Sequence, residues 1–162
     1  MKILLHIRSL HTGGSERQVV SLAKSMAELG VEVHVAVMKN GGQLEGELSD
    51  ITNVYLHTIN SDTKVIGKLR YIIQLRTLIK STKFDAVYGF LPTPNLALLV
   101  ALSIRHKPII TWGIRSSGLD LTQYGSKVKW AMRLEKWLSR LPDKIITNSQ
   151  TALHEYRQKG YP

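Results

Sequence analysis

From Met1 to Met38 the apolar residues change period twice, and few folds accommodate that change. Lys2-Ile3-Leu4-Leu5-His6-Ile7 is a short apolar run of strand length. From Ser15 onward, Val19, Val20, Leu22, Ala23, Met26, Ala27 and Leu29 recur at three- and four-residue spacing, one face of a helix. Gly30 tolerates positive φ and stops that helix. Val31-Glu32-Val33-His34-Val35-Ala36-Val37 then alternates as a second strand. A strand–helix–strand unit of this size implies a parallel sheet with a right-handed crossover.

Sheets of this kind bind ligands at the carboxyl ends of their strands, where Gly13 and Gly14 lie just before the helix. Two readings of the pair stand side by side. In one, the glycines leave room for a ligand, and the free amides and helix dipole behind them attract an anion such as a phosphate. In the other, they only form a tight turn and Ser15 only caps the helix.

The pattern repeats along the chain. Strands are expected at Asn53–Ile59, Phe84–Phe90, Lys107–Gly113 and Pro142–Thr147. Short helical turns fit Gln43–Ser49, with longer helices at Lys64–Ser81 (capped by Asp62 or Thr63), Leu96–Ile104 after Pro94, Tyr124–Leu141 and Gln150–Lys159. Asn148-Ser149 caps the last of these and Gly160 stops it. The expected fold is α/β: a Rossmann-like, three-layer α/β/α sandwich with a mostly parallel sheet of about six strands.

The net charge of +10 is localised. Lys64 to Lys83 holds six basic residues and no acid, and Lys127 to Lys144 holds six against Glu135 and Asp143; the remainder is neutral. Both segments are amphipathic. Val65, Ile66, Leu69, Ile72, Ile73, Leu75, Leu78 and Ile79 form a broad apolar stripe in the first, apart from Lys68, Arg76 and Lys80. In the second, Trp130 stands beside Lys127, Lys129 and Arg133. Each helix either covers the sheet with a solvated basic face or also leans on an anionic membrane surface. Cysteine is absent, which removes disulfides and thiolate metal sites. No cluster of carboxylates and histidines has ligand spacing, so no metal is expected. His6, His11, His34, His57, His106 and His154 read as ordinary residues of strands, loops and helices. No run approaches the ~20 apolar residues of a membrane span, and no signal peptide is expected at the start.

Gly13-Gly14-Ser15-Glu16-Arg17, Leu29-Gly30-Val31-Glu32-Val33, Phe84-Asp85-Ala86-Val87 and Asp143-Lys144-Ile145-Ile146-Thr147-Asn148-Ser149 occur in an order and spacing that suggest a family. The chain resembles the N-terminal domain of GT-B glycosyltransferases, in the large retaining family known as glycosyltransferase group 1 or family 4. The resemblance covers essentially residues 1–162. It implies one half of a GT-B fold: an N-terminal, acceptor-side domain cut from a C-terminal domain that holds most of the nucleotide-sugar. On that ground the 162 residues alone are expected to be inactive.

The resemblance also assigns roles. Gly13, Gly14 and Ser15 are expected at the donor phosphates. Glu16, Arg17, Pro92, Asn95, Gly113, Arg115 and Ser116 are expected at the acceptor or transferred sugar. Several family members carry a histidine at the end of the fifth strand; here that place falls at about Gly113, so no histidine role transfers. The implied reaction moves a sugar from a nucleotide to a hydroxyl with retained configuration, independent of metal. No residue is assigned as catalytic nucleophile. A lipid-linked or cell-surface glycan acceptor, as in bacterial polysaccharide or lipopolysaccharide assembly, suits the basic helices. Lys68, Arg76, Lys80, Lys127, Lys129, Trp130 and Arg133 would then face the inner-membrane surface of a cytoplasmic, peripheral protein.

Two rivals bear on this reading. A dinucleotide-dependent dehydrogenase wants Gly-x-Gly-x-x-Gly and an acid after the second strand, where this chain has Met38-Lys39-Asn40. An anion-binding or adaptor domain of the same fold without catalysis is compatible with the charge, but no nucleic-acid recognition motif is visible, and nucleic acid is not an expected partner.

Overall fold

The computed structural model describes residues 1–59, 65–102, 108–114 and 125–162, with backbone alone at 65, 127 and 128. Among them, six strands form one parallel sheet: β1 (Lys2–Ile7), β2 (Glu32–Val37), β3 (Val54–Thr58), β4 (Ala86–Phe90), β5 (Ile109–Ile114) and β6 (Lys144–Thr147). Their order across the sheet is β3-β2-β1-β4-β5-β6. Helices α1 (Gly14–Glu28), α2 (Gly46–Ser49), α3 (Val65–Thr82), α4 (Pro92–Ala101), α5 (Ser126–Leu138) and α6 (Gln150–Gln158) alternate with the strands.

Both faces of the sheet are covered, so its inner strands are apolar on both sides rather than alternating. Ile3, Leu5 and Ile7 of β1 face Val19, Val20 and Ala23 of α1, joined by Val33, Val35 and Val37 of β2. Leu4, Val87, Ile110 and Trp112 form the opposite core with Tyr71, Leu75 and Ile79 of α3 and Ala97, Leu98 and Ala101 of α4. α6 closes the β6 edge, where Tyr156 packs with Ile114 and Ile145.

The punctuation of the chain behaves as its chemistry requires. Gly30 has φ +78, its amide donates to the Ala27 carbonyl at 2.9 Å, and the Val31 amide donates to Met26 at 3.0 Å. This paired arrangement ends a helix with its last carbonyls satisfied. Ser149 caps α6 by accepting from the Ala152 amide at 3.0 Å.

Four expectations need correction. α1 starts at Gly14 with Gly13 as its cap residue, so Ser15 sits inside the first turn and caps nothing. α4 starts at Pro92, four residues before Leu96, because a proline at the first helical position needs no amide partner. α3 is not divided into one apolar and one basic face. The sheet buries Tyr71, Leu75 and Ile79, with Ile72 and Leu78 packed partly against the same core, and leaves Ile66, Leu69 and Ile73 exposed beside Arg76 and Lys80. Its eight apolar residues span more of the helix than a sheet can cover. α2 begins at Gly46 rather than Gln43. Asp62, Thr63, Lys107 and Tyr124 lie outside the described residues.

Candidate functional site at the carboxyl edge of the sheet

The strand order reverses between β1 and β4, since the chain steps to β2 and β3 on one side and to β5 and β6 on the other. Loops leaving β1 and β4 therefore diverge and open a crevice at the carboxyl edge, where ligands bind in sheets of this class. The loop after β1 brings the glycine turn to this point. It is held from the side by the loop after β2: the Lys39 amide donates to Arg8 at 3.0 Å and the Leu44 amide donates to Leu10 at 3.0 Å. The two loops meet so closely that a Cβ on Gly42 would stand inside the Leu10 backbone.

Gly13 is extended (φ −171, ψ 166) and no side chain caps the helix behind it. Gly14 is exposed, and a Cβ there would meet nothing within 4 Å. With no side chain capping it, the start of α1 leaves its first-turn amides and the positive end of its dipole as an anion-receptive arrangement. One anion is already close. The Glu16 carboxylate folds back over Gly13, its Cδ 3.0 Å from where a Cβ on that glycine would stand. A phosphate must share or displace that position.

The second wall follows β4. Leu91 has φ 75 and ψ 162, a backbone region almost restricted to glycine. Its amide donates to the Gly113 carbonyl at 3.2 Å, and its carbonyl accepts from the Asn95 amide at 3.1 Å. Asn95 is wholly buried, and its Nδ2 donates to Glu135 Oε1 of α5 at 2.6 Å and to the Gly113 carbonyl at 3.4 Å. It rests on Gly89, where no side chain would fit. Burial pushes the Glu135 carboxyl up to about 7, against the pull of its hydrogen bonds to Asn95 and Tyr161.

The structure brings Gly13, Gly14, Ser15, Glu16 and Arg17 to the β1 end of the edge, with Pro92 at the β4 end and Gly113 at the β5 end. Arg17 is exposed, Pro92 is half-buried and Gly113 is buried against Tyr88. Asn95 differs from its expected place: the early start of α4 turns it inward to Glu135 rather than outward to a ligand. Arg115 and Ser116 lie outside the described residues, as does the side chain of Lys127. Lys68, Arg76, Lys80, Lys129, Trp130 and Arg133 stand on α3 and α5. The sequence reading missed the strained backbone of Leu91 and the buried contact of Glu135. Strain at Leu91 leaves no compositional trace; Glu135 was visible only as the lone acid in a basic helix.

Two histidine arrangements are structural. His6 is buried, donating from Nδ1 to the Ala36 carbonyl at 2.9 Å and accepting from the Tyr71 hydroxyl at 2.5 Å, and burial lowers its pKa to about 4. His34 bridges Glu32 at 3.0 Å and His57 at 2.8 Å on the outer strands. Among the described residues no group of three or more His, Cys, Asp or Glu is arranged to hold a metal ion.

A Rossmann-like parallel sheet with a glycine turn at its switch point defines the class, a doubly wound α/β domain. The chain belongs to Glycosyltransferase Family 4, whose profile matches residues 12–162, and is an N-terminal GT-B glycosyltransferase domain. It is 30% identical over 115 residues to the Campylobacter jejuni GalNAc-alpha-(1->4)-GalNAc-alpha-(1->3)-diNAcBac-PP-undecaprenol alpha-1,4-N-acetyl-D-galactosaminyltransferase, covering 68% of this chain and 31% of that protein. Among solved structures it resembles Anabaena HepE in complex with UDP and glucose (TM-score 0.72, 17% identity, 100% of this chain and 42% of that one). It also resembles sucrose-phosphate synthase from Thermosynechococcus elongatus (TM-score 0.75, 10% identity, 99% and 45%). A UDP-GlcNAc 2-epimerase from Methanocaldococcus jannaschii shares the fold as well (TM-score 0.68, 17% identity, 100% and 43%). At these identities the structural likenesses carry the fold alone. The chain spans about a third of the curated relative and under half of each of these structures.

Proposed function

We propose that this domain works with a second, C-terminal domain in moving a sugar from a nucleotide to a hydroxyl of a lipid-linked glycan, with retained configuration. The observation that carries the reading is the uncapped glycine turn at the switch point of a family 4 domain. In this reading Gly13, Gly14 and Ser15 meet the donor diphosphate through backbone amides, with Glu16 moving aside. Arg17, Pro92, Gly113, Arg115 and Ser116 border the acceptor or the transferred sugar. Asn95 shapes that border from below, through the loop it holds. The undecaprenol-linked glycan in the relative's name supports a lipid-linked acceptor.

No residue is assigned as nucleophile, and in this reading the domain contributes position and charge stabilisation. The chain alone would lack the groups that hold the donor, and we expect it to be inactive. The reaction is proposed as metal-independent and to occur at the cytoplasmic face of the membrane. The test uses the full-length protein with a panel of UDP-, GDP- and ADP-sugars and membrane extract as acceptor. Nucleotide release with one donor is the expected result; silence across the panel from a folded protein would overturn the proposal.

A further inference from the structure

Behind the Leu91 wall of the crevice the core turns polar. Glu135 of α5 and Asn95 of α4 are 1% and 0% exposed. The Gly113 carbonyl, at the end of β5, accepts from two sides: from the Leu91 amide at 3.2 Å and from Asn95 Nδ2 at 3.4 Å. The same Nδ2 donates to Glu135 Oε1 at 2.6 Å. On its other side Glu135 accepts from the hydroxyl of Tyr161, which follows α6 and packs edge-on against Tyr156. One carboxyl therefore joins α4, α5 and the residues after α6, and reaches the wall through Asn95. Gly89 lies so close to Asn95 that a Cβ would collide with it, so the contact is made at backbone distance.

Stability does not account for this arrangement. A buried carboxyl costs the fold once it ionises, and burial has raised this one to about 7. Asn95 Oδ1 is buried with no hydrogen-bond partner among the described residues, a second cost. Apolar side chains of the same volume would fill the space between α4 and α5 without either. They would not hold the Gly113 carbonyl or keep Leu91 at φ 75. A leucine stays in that region only while its surroundings hold it there.

We propose that Glu135 is a positioning residue for sugar transfer: by bracing Asn95 from behind, it fixes Leu91 and the Gly113 carbonyl, and with them the seat of the ring that lies against this wall. Glu135 is sealed from solvent and acts through Asn95. The inference rests on the transferase reading, because a ligand in the crevice is what registers the position of the wall.

The experiment uses the full-length protein at pH 6, with Glu135→Met, Glu135→Gln, Asn95→Ala and the double variant Glu135→Met/Asn95→Ala. Thermal melts check folding, kcat and KM are measured with the donor that wild type accepts, and amide hydrogen exchange is followed at Leu91 and Asn95. Glu135→Met should lose about a hundredfold in kcat/KM, the cost of a reactant seated about 1 Å out of place. Glu135→Gln, which keeps an acceptor for Asn95, should recover most of that loss. The double variant should fall no further than the worse single one, since both changes break the same brace. Exchange at Leu91 and Asn95 should quicken in Glu135→Met and stay slow in Glu135→Gln, with the amides of β1 unaffected in both. Tyr161→Phe frees one side of the carboxyl and should show the same local exchange with a smaller loss of transfer; it carries the test if Glu135→Met does not fold. Wild-type kcat/KM in folded Glu135→Met, equal losses in Glu135→Met and Glu135→Gln, or losses that multiply in the double variant would each overturn the inference. Wild type that turns over no donor defeats the transferase reading instead. Exchange at Leu91 then decides the brace alone: quickened in Glu135→Met it stands, and unchanged it falls.

Discussion

Replacing Glu135 by glutamine should change the pH dependence of stability rather than the fold. Glutamine keeps an oxygen to accept from Asn95 Nδ2, which donates to Glu135 at 2.6 Å. The sign follows from burial. Below pH 4.5 the carboxyl is protonated both folded and unfolded and costs nothing. Above its folded value of about 7 the folded chain must hold a buried carboxylate. Each pH unit between those values is worth ~1.4 kcal/mol, so about 3 kcal/mol of stability is lost as pH rises through the interval. His6 works in the opposite direction. Its folded value is lowered from 6.5 to about 4 by burial, so a cost of about 3 kcal/mol at acid pH disappears as pH rises to 6.5. In the wild type these two slopes oppose each other from pH 4 to 7, with His57, its pKa lowered by burial and by the neighbouring His34, adding to the rising side. Urea unfolding of both proteins across that range separates them. The stability of Glu135→Gln minus that of wild type should climb by about 3 kcal/mol between pH 4.5 and 7 and level off on either side. A difference curve that stays flat, or falls, would refute the buried-acid assignment.

The remaining expectations concern single positions. Gly14→Ala meets no steric obstacle and should hold or raise stability by up to ~1 kcal/mol, yet cut transfer by the full-length enzyme; an unimpaired rate would remove Gly14 from the donor site. Gly42→Ala drives a methyl into the Leu10 backbone and should cost more than ~2 kcal/mol by thermal melt. Leu91→Gly should melt above Leu91→Ala, although it has the smaller side chain, because only glycine relieves a strain of ~1–3 kcal/mol; the reverse order would show that the backbone there is relaxed. Ser149→Ala should cost ~1 kcal/mol in urea through loss of the α6 cap.

The sheet was legible because period and burial agree. β1 runs Lys2–Ile7 as its apolar run indicates, and Gly30 and Gly160 end their helices with positive φ. The site was legible at its glycines and not at its second wall. A side-chain cap is what a sequence advertises, so α1 was read from Ser15, whereas its cap is Gly13, which leaves the amides free. At α4, Pro92 and Pro94 both suit a first turn, and the earlier start depends on Leu91 adopting a conformation leucine rarely visits. That shift of one turn carries Asn95 inward to Glu135, a partner 40 residues away that local pattern cannot reveal. The two-sided apolar character of α3 was likewise hidden, because periodicity shows which residues are apolar and not how wide a strip the sheet can cover.

Segregating charge by layer, with both basic segments on the α3 and α5 side, makes the domain an electric dipole whose axis runs through the sheet. Beside an extended anionic surface such a body feels a torque before it feels contact, within roughly a Debye length of ~8 Å at physiological salt. That torque would turn α3 and α5 toward the surface and shorten the rotational search. Added salt should weaken the orienting effect, because screening acts on the whole of it.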